Sequence, residues 1–233
     1  MILSLITSGK SLDVILVLLL ATVISALIAI VCHEAAHAFV AHLCGDDTAK
    51  NAGRMTLNPV PHFDLVGVLL MLFVGFGWAK PVPINPYNFK KRKLGIILVS
   101  IAGIVTNLLL AGLFLLILYL TYPALISLMA TATLVRLVGY FLYYVFAYTI
   151  ILNIMLAFFN FLPIAPLDGF NLTNALLPAG NNYSRFMFKY GWYILLGLLL
   201  VSHVLNYVGL QQFNVFYQVQ NLAIRLIDLV TGG

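Results

Sequence analysis

The sequence has few charged residues: only 8% of its 233 residues are Asp, Glu, Lys or Arg, whereas 63% are hydrophobic. A soluble globular domain carries about 25% charged residues, so this composition excludes an ordinary soluble domain and indicates an integral membrane protein. The chain also lacks an internal repeat and a polar stretch long enough for a second domain. We therefore expect residues 1–233 to form one membrane-embedded domain.

Cysteine is scarce as well, with only Cys32 and Cys44. On one helix, at 1.5 Å per residue, these would lie about 18 Å apart, too far for a disulfide bond. The net charge of +5 does not indicate a nucleic-acid partner, because most basic residues lie in one segment between hydrophobic runs, where membrane topology explains them. No nucleic-acid binding is expected.

Long hydrophobic runs, in contrast, are present. A helix needs about 20 apolar residues to cross the hydrocarbon core of a bilayer, and four segments reach that length. They are Leu12–His42, Leu94–Tyr122, Leu134–Phe161 and Tyr190–Leu210. The predicted fold is an all-α polytopic membrane protein with about four transmembrane helices.

Two further segments are expected to lie against this bundle. The run Leu65–Trp78, rich in Gly and Val, predicts a short re-entrant, β-like segment, with a short crossing helix as the alternative. The tail Gln211–Val230 predicts a C-terminal helix at the membrane interface, with a fifth span as the alternative. The apolar face of that helix comprises Phe216, Val219, Ala223, Leu226, Ile227 and Val230.

The basic residues predict the orientation in the cell membrane. Cytoplasmic loops are enriched in Lys and Arg, and the connection between the first two predicted spans is the most basic. The third connection adds Arg185 and Lys189, whereas the second has no basic residue before Arg136. The first and third connections should therefore be cytoplasmic. The basic residues of the first connection are Lys50, Arg54, Lys80, Lys90, Lys91, Arg92 and Lys93.

The first predicted span contains the pattern H-E-x-x-H. His33 and His37 are four residues apart, so on a helix both imidazoles can reach one ion. In this arrangement two histidines bind zinc and the glutamate, here Glu34, takes a proton from water. Glu34 is also the only glutamate of the chain, and a charge at this depth costs several kcal/mol.

A catalytic zinc needs a third protein ligand, and Asp168 is the predicted one. Pro163 and Pro166 end the third predicted span and leave irregular backbone before the acid. The first and third spans both end on the cytoplasmic side, so Asp168 can approach the two histidines, and the site would be accessible from the cytoplasm. The alternative is an aspartate that caps the following helix.

Polar residues elsewhere in the spans suggest substrate contacts. Asn107 and Asn160 place amides inside the second and third spans, where they would bind substrate backbone or an oxyanion, or else join helices. His62 and Asp64 would support the metal ligands or gate the site, or else belong to a polar loop.

These motifs together resemble the site-2 proteases, a family of intramembrane zinc metalloproteases. The matching stretches are the H-E-x-x-H motif, "GRMTLNPVPHFD", "WAKPVPINPYNF", "AGIVTN" and "NFLPIAPLDG". The resemblance implies that His33, His37 and Asp168 ligate one zinc ion and that Glu34 is the catalytic base. It further implies that Asn107 and Asn160 contact substrate. Without a PDZ or CBS domain, the chain is similar to the small, core-only prokaryotic form.

The expected function is hydrolysis of peptide bonds within or near transmembrane segments of membrane proteins, at one Zn²⁺ per chain. The partners would be a transmembrane protein or peptide substrate and the lipid bilayer. A different class remains open, a metal-ion or proton-handling transport protein that uses the buried His, Glu and Asp residues as an ion path. A protein that binds transmembrane helices without cleaving them is the third reading.

Overall fold

The computed structural model describes residue 9 and residues 11–64, 66–67 and 79–232, with the backbone alone for Thr133. Over these residues the chain is helical and contains no β-strand. The helices are α1 (Leu12–Cys44), α2 (Thr48–Asn51), α3 (Arg92–Met129), α4 (Thr133–Phe161), α5 (Asp168–Leu176), α6 (Asn182–Tyr207) and α7 (Val215–Thr231). Short 3-10 turns lie at Val60–His62, Pro86–Asn88 and Gln211–Phe213.

Four of the described helices, α1, α3, α4 and α6, are long and apolar enough to cross a membrane. This confirms the predicted all-α membrane fold. The predicted re-entrant segment, Leu65–Trp78, lies outside the described residues except for Val66 and Gly67.

The centre of the molecule is formed by α1, α3 and α4. Helix α1 ends because Gly45 adopts a left-handed conformation, with φ 108°, and the next residue's amide, Asp46 N, bonds back to Ala41 O at 2.9 Å. Helices α3 and α4 follow each other through the short turn 130–132 and bury a core of aliphatic side chains. That core comprises Leu118, Leu125, Ala147, Ile150 and Ile227.

Helix α3 is longer than predicted, since it continues through Pro123 to Met129. Proline removes one helical hydrogen bond, but Leu125 beyond it is only 3% exposed and packs into the α3–α4 core. Burial of that turn offsets the missing bond, which the sequence pattern alone did not indicate.

Helix α6 begins earlier than predicted, at Asn182, because the Asn181 side chain accepts a hydrogen bond from Ser184 N and caps the helix. The C-terminal helix α7 begins after Asn214, which caps it in the same way. Every residue of its predicted apolar face is buried or half-buried, and Ile227 joins the α3–α4 core. Its position at the membrane interface stays a prediction.

Candidate metal centre

The two histidines of the H-E-x-x-H motif lie in the middle of the helix bundle. His33 and His37 are one turn apart on α1, are 4% and 6% exposed, and bring their Nε2 atoms to 3.0 Å from each other. The rings stand nearly perpendicular, with an interplanar angle of 85°. Both Nε2 atoms can therefore face a single ion, as the spacing predicts.

Asp168 completes the group from another part of the chain. Its Oδ2 lies 3.2 Å from His33 Nε2 and 3.1 Å from His37 Nε2. Asp168 is the first residue of α5, and the N-cap position before it is occupied by Leu167. Asp168 therefore does not stand at the N-cap position that the alternative role requires.

Close backbone packing brings Asp168 to the histidines. The loop between α4 and α5 turns back on the end of α4, and Gly169 lies against it. A Cβ atom at Gly169 would collide with the carbonyl oxygens of Phe161 and Leu162. Only glycine allows this approach of α5 to the end of α4.

The other ring nitrogen of each histidine is held by an oxygen on α3. His37 Nδ1 lies 2.7 Å from the carbonyl oxygen of Val99, and His33 Nδ1 lies 2.6 Å from Asn107 Oδ1. These oxygens only accept hydrogen bonds, so each Nδ1 carries the proton. In neutral histidines this leaves the lone pairs on both Nε2 atoms, facing Asp168.

The donor set fits a zinc ion. Two Nε2 lone pairs and a carboxylate oxygen meet within 3.2 Å, and no hydrogen bond reaches the buried Asp168 Oδ2. Such atoms repel one another unless a cation lies between them. Two imidazoles and one carboxylate are ligands that zinc takes in catalytic sites. Metal-bound histidines usually donate their other ring N–H to an oxygen acceptor, as the Nδ1 atoms of His33 and His37 do here.

Glu34 lies beside this group and is held by backbone. Its Oε2 accepts a hydrogen bond from Val82 N at 2.8 Å. Val82 belongs to a segment without helix or strand, residues 79–85, and its side chain is buried near Ala38 and Ala49. Glu34 is therefore positioned independently of the three ligand atoms.

Residues 79–85 are in turn held by Arg54 and His62. The buried Arg54 side chain donates through Nη2 to the carbonyl oxygens of Lys80 and Pro81. Lys80 N donates to His62 O at 3.1 Å.

Neither His62 nor Asp64 makes a hydrogen bond to His33, His37 or Asp168, so no direct support of the metal ligands by these two side chains is seen. The His62 ring bonds to Thr56 O, and the Asp64 carboxylate accepts from Gly67 N.

The two asparagines expected to contact substrate differ in their surroundings. Asn107 is 0% exposed, and its amide group bonds to His33, to Ala29 O and to Asn153 Oδ1. Asn160 is half-buried near the end of α4 and donates to Leu156 O of its own helix. Substrate contact stays a prediction for both residues.

Sequence reasoning missed three contributors: Gly103, Val82 and Asn153. A Cβ atom at Gly103 would overlap both histidine rings. Gly103 stands four residues before Asn107, a spacing that places both on one face of a helix and could have drawn attention to it. Asn153 is a second amide within a hydrophobic span, as Asn107 is, and the same cost of burial could have drawn attention to it.

The fold and site together define a multi-pass membrane protein with a group of two buried histidines and a half-buried aspartate that could hold a metal ion, beside a glutamate, as in a metallopeptidase. The chain matches the model of peptidase family M50 over residues 21–202. It is 42% identical over 189 residues to a protein of Bacillus subtilis (strain 168) called "Putative zinc metalloprotease YwhC", covering 80% of this chain and 82% of that protein. No solved structure gives a significant match.

The chain belongs to peptidase family M50, the site-2 proteases, and the resemblance noted in its motifs is confirmed. It is a membrane metalloendopeptidase that uses zinc and acts on protein.

Proposed function

We propose that this protease cleaves membrane proteins within or near their transmembrane segments, and that its single domain spans residues 1–233. The observation that supports this most is the position of the ligand group, which is buried among the membrane-spanning helices α1 and α3. A substrate reaching it must expose peptide carbonyls at the same depth. A transmembrane helix therefore has to unwind locally, and Gly, Pro or polar residues near the cut should help.

In this proposal His33, His37 and Asp168 hold the zinc ion and Glu34 is the base. Zinc, when bound, supplies Lewis acidity that lowers the pKa of water and polarises the scissile carbonyl. Glu34 accepts the proton of the attacking water and passes it to the leaving amine. Val82 N–H binds one carboxylate oxygen of Glu34, which fixes the side chain and leaves the other oxygen to receive the proton.

Asn160 is proposed as a substrate contact. It lies on the last turn of α4, whose end packs against Gly169, the neighbour of the ligand Asp168. Its half-buried amide is more accessible than that of Asn107, which is fully buried. An unwound substrate segment near the ligand group would offer backbone groups for this amide to bind.

The site is proposed to open to the cytoplasm. The end of α1 that follows His37 leads into the basic connection with Lys50 and Lys90 to Lys93, and such connections are cytoplasmic. Access can be tested with a single cysteine at the exposed Tyr87, in a variant without Cys32 and Cys44. A maleimide reagent that cannot cross membranes should label it in inside-out vesicles and not in spheroplasts; the reverse pattern would refute the orientation.

The decisive experiment pairs proteolysis with zinc content. Single-span reporter proteins with Gly or Pro in the transmembrane segment would be coexpressed with wild type and with Glu34→Gln, His37→Ala and Asp168→Ala. We expect all three variants to lose cleavage, with zinc lost from the last two and kept in Glu34→Gln. Asp47→Asn is the matched control, because it removes an exposed acid just beyond α1.

Two outcomes would contradict the mechanism. Full cleavage by Glu34→Gln would show that Glu34 is not the base. Loss of zinc from a folded Glu34→Gln variant would make Glu34 a ligand, which is what the ion-transport reading of the cluster requires.

A further inference from the structure

A chain of buried polar groups leads from His33 through α3 into α4. His33 Nδ1 faces Asn107 Oδ1 at 2.6 Å, and Asn107 Nδ2 donates to Asn153 Oδ1, also at 2.6 Å. Asn153 Nδ2 donates to Thr149 O at 2.8 Å. Asn107, Asn153 and Thr149 are all 0% exposed. Nothing in the catalytic scheme above uses Asn153.

The direction of this chain is fixed by backbone carbonyls. The Thr149 carbonyl can only accept, so the Asn153 atom that faces it must be the NH₂ group. That places Asn153 Oδ1 toward Asn107, which must then present its own NH₂ group to it. Ala29 O, 3.2 Å from Asn107 Nδ2, requires the same orientation.

The orientation of the Asn107 amide determines which ring nitrogen of His33 carries the proton. With its NH₂ group turned to Ala29 and Asn153, Asn107 presents Oδ1 to His33 Nδ1. Because Oδ1 accepts only, it holds the proton of His33 on Nδ1 and leaves the lone pair on Nε2. That is the tautomer with which His33 can bind an ion beside Asp168.

We propose that Asn153 is a positioning residue of the zinc site, which acts through Asn107 to hold His33 in its metal-binding tautomer and orientation. The inference rests on the proposed role of His33 as a ligand. It also assigns Asn107 a part in holding His33, since both of its N–H groups are already taken by protein oxygens.

The alternative is that Asn153 only joins α4 to α3, as polar residues in membrane helices often do. Ser25 provides a matched control for this alternative. It is 0% exposed and joins α1 to α4 by donating to Val145 O at 2.9 Å, but it makes no bond to the His33 chain. Ser25→Ala therefore removes an interhelical hydrogen bond and leaves the hydrogen bonds between His33, Asn107 and Asn153 in place.

The first test measures zinc retention of the full-length protein in detergent against a competing chelator. Partners of metal-bound histidines typically contribute 10–100-fold to metal affinity, so Asn107→Leu and Asn153→Leu should each weaken retention by about that factor. Ser25→Ala should retain zinc like wild type. If Asn153 acts through Asn107, the double variant Asn107→Leu/Asn153→Leu should be no weaker than Asn107→Leu alone.

The second test reads the tautomer itself. In zinc-free protein with ¹⁵N-labelled histidine, the His33 ring shifts should report a proton on Nδ1 in wild type and a mixture of tautomers in Asn153→Leu. Asn153→Ala leaves a cavity where Leu adds volume, so the two variants perturb packing in opposite ways, and either one that folds can carry both measurements.

Three results would overturn the proposal: wild-type zinc retention in a folded Asn153 variant, an additive loss in the double variant, or an unchanged His33 tautomer. These results are independent of proteolysis. Failure of the proposed protease mechanism would instead be seen as cleavage by Glu34→Gln, while the Asn107 and Asn153 variants still lose zinc retention as expected.

Discussion

Replacing Gly103 by alanine should disturb the zinc site directly. A Cβ atom there would lie 2.6 Å from both His33 Nδ1 and His37 Nε2, and closer still to His33 Cε1. Optimal contact between carbon atoms is about 3.5–4.0 Å, so the new methyl group overlaps both rings by about 1 Å. Neither ring can move away freely, because the acceptors of their Nδ1 protons, Val99 O and Asn107 Oδ1, lie on the same helix as Gly103.

The expected magnitude follows from two opposing terms. Glycine inside a helix costs roughly 0.5–1 kcal/mol relative to alanine, which favours the substitution, whereas overpacking of a well-packed core costs about 1–3 kcal/mol. We expect a net loss of up to about 2.5 kcal/mol in the free energy of unfolding. Moving α3 away from α1 would also lengthen both Nδ1 hydrogen bonds, so zinc retention should fall by about 10–100-fold.

The assay compares Gly103→Ala with Gly112→Ala, about two and a half turns further along α3. A Cβ atom at Gly112 meets nothing within 4 Å, so this control makes the same chemical change on the same helix without the overlap. Thermal unfolding in detergent and zinc retention against a chelator are measured for both. Identical behaviour of the two variants would refute the close contact between α3 and the histidines.

Two other substitutions address the segments around the site. Arg54→Ala removes the donor to the carbonyl oxygens of Lys80 and Pro81, so the Val82 N–H that binds Glu34 should no longer be held in place. We expect kcat to fall about tenfold or more, from the size of general base catalysis, with zinc content unchanged. A loss of zinc as large as the loss of kcat would contradict this. Asp46→Ala breaks the link from the end of α1 to Asn85 N and Asn88 Nδ2 and should lower the free energy of unfolding by about 1–3 kcal/mol. Burial raises the pKa of Asp46, but hydrogen bonds from Thr48, Asn85 and Asn88 lower it more, so the pKa is below its usual value. The stabilisation that ionised Asp46 provides should be present above pH of about 4 and be lost as the pH falls through the lowered pKa. Acid unfolding of wild type and Asp46→Ala would measure this difference.

The parts of the site that the sequence predicted are those governed by local spacing and by topology. His33 and His37 share a helix face because they are four residues apart. Asp168 could be placed with them because two odd-numbered spans end on the same side of a membrane. Neither argument needs to know how the side chains pack.

The helix ends were less predictable because they depend on packing and capping. The predicted second span ends at Tyr122, before Pro123, yet α3 continues beyond the proline because Leu125 is buried in the α3–α4 core. The Asn181 cap lets α6 begin at Asn182, eight residues before the predicted start at Tyr190. In each case a tertiary contact or a side-chain cap decided the boundary.

Buried residues spaced by four along α1 and α3 explain why Gly103 was not predicted from the sequence and how it could be found. On α3, the positions that face α1 carry a carbonyl, a glycine and an amide in turn, at Val99, Gly103 and Asn107. They meet His37 and His33 in reverse order, so the two helices run antiparallel. The buried row of α3 is Gly95, Val99, Gly103, Asn107 and Ala111, and that of α1 is Ala21, Ser25, Ala29, His33, His37 and Ala41.

Small residues dominate both rows, as they do wherever membrane helices approach closely. A metal-binding histidine in such a row needs an acceptor for its second nitrogen and space for its ring, and the facing row must provide both. A glycine followed four residues later by an asparagine, inside a hydrophobic span, is the sequence pattern that meets these two needs. Asn153 could not be found by the same rule, because it contacts the histidine only through Asn107, and that relation exists only once α4 has packed against α3.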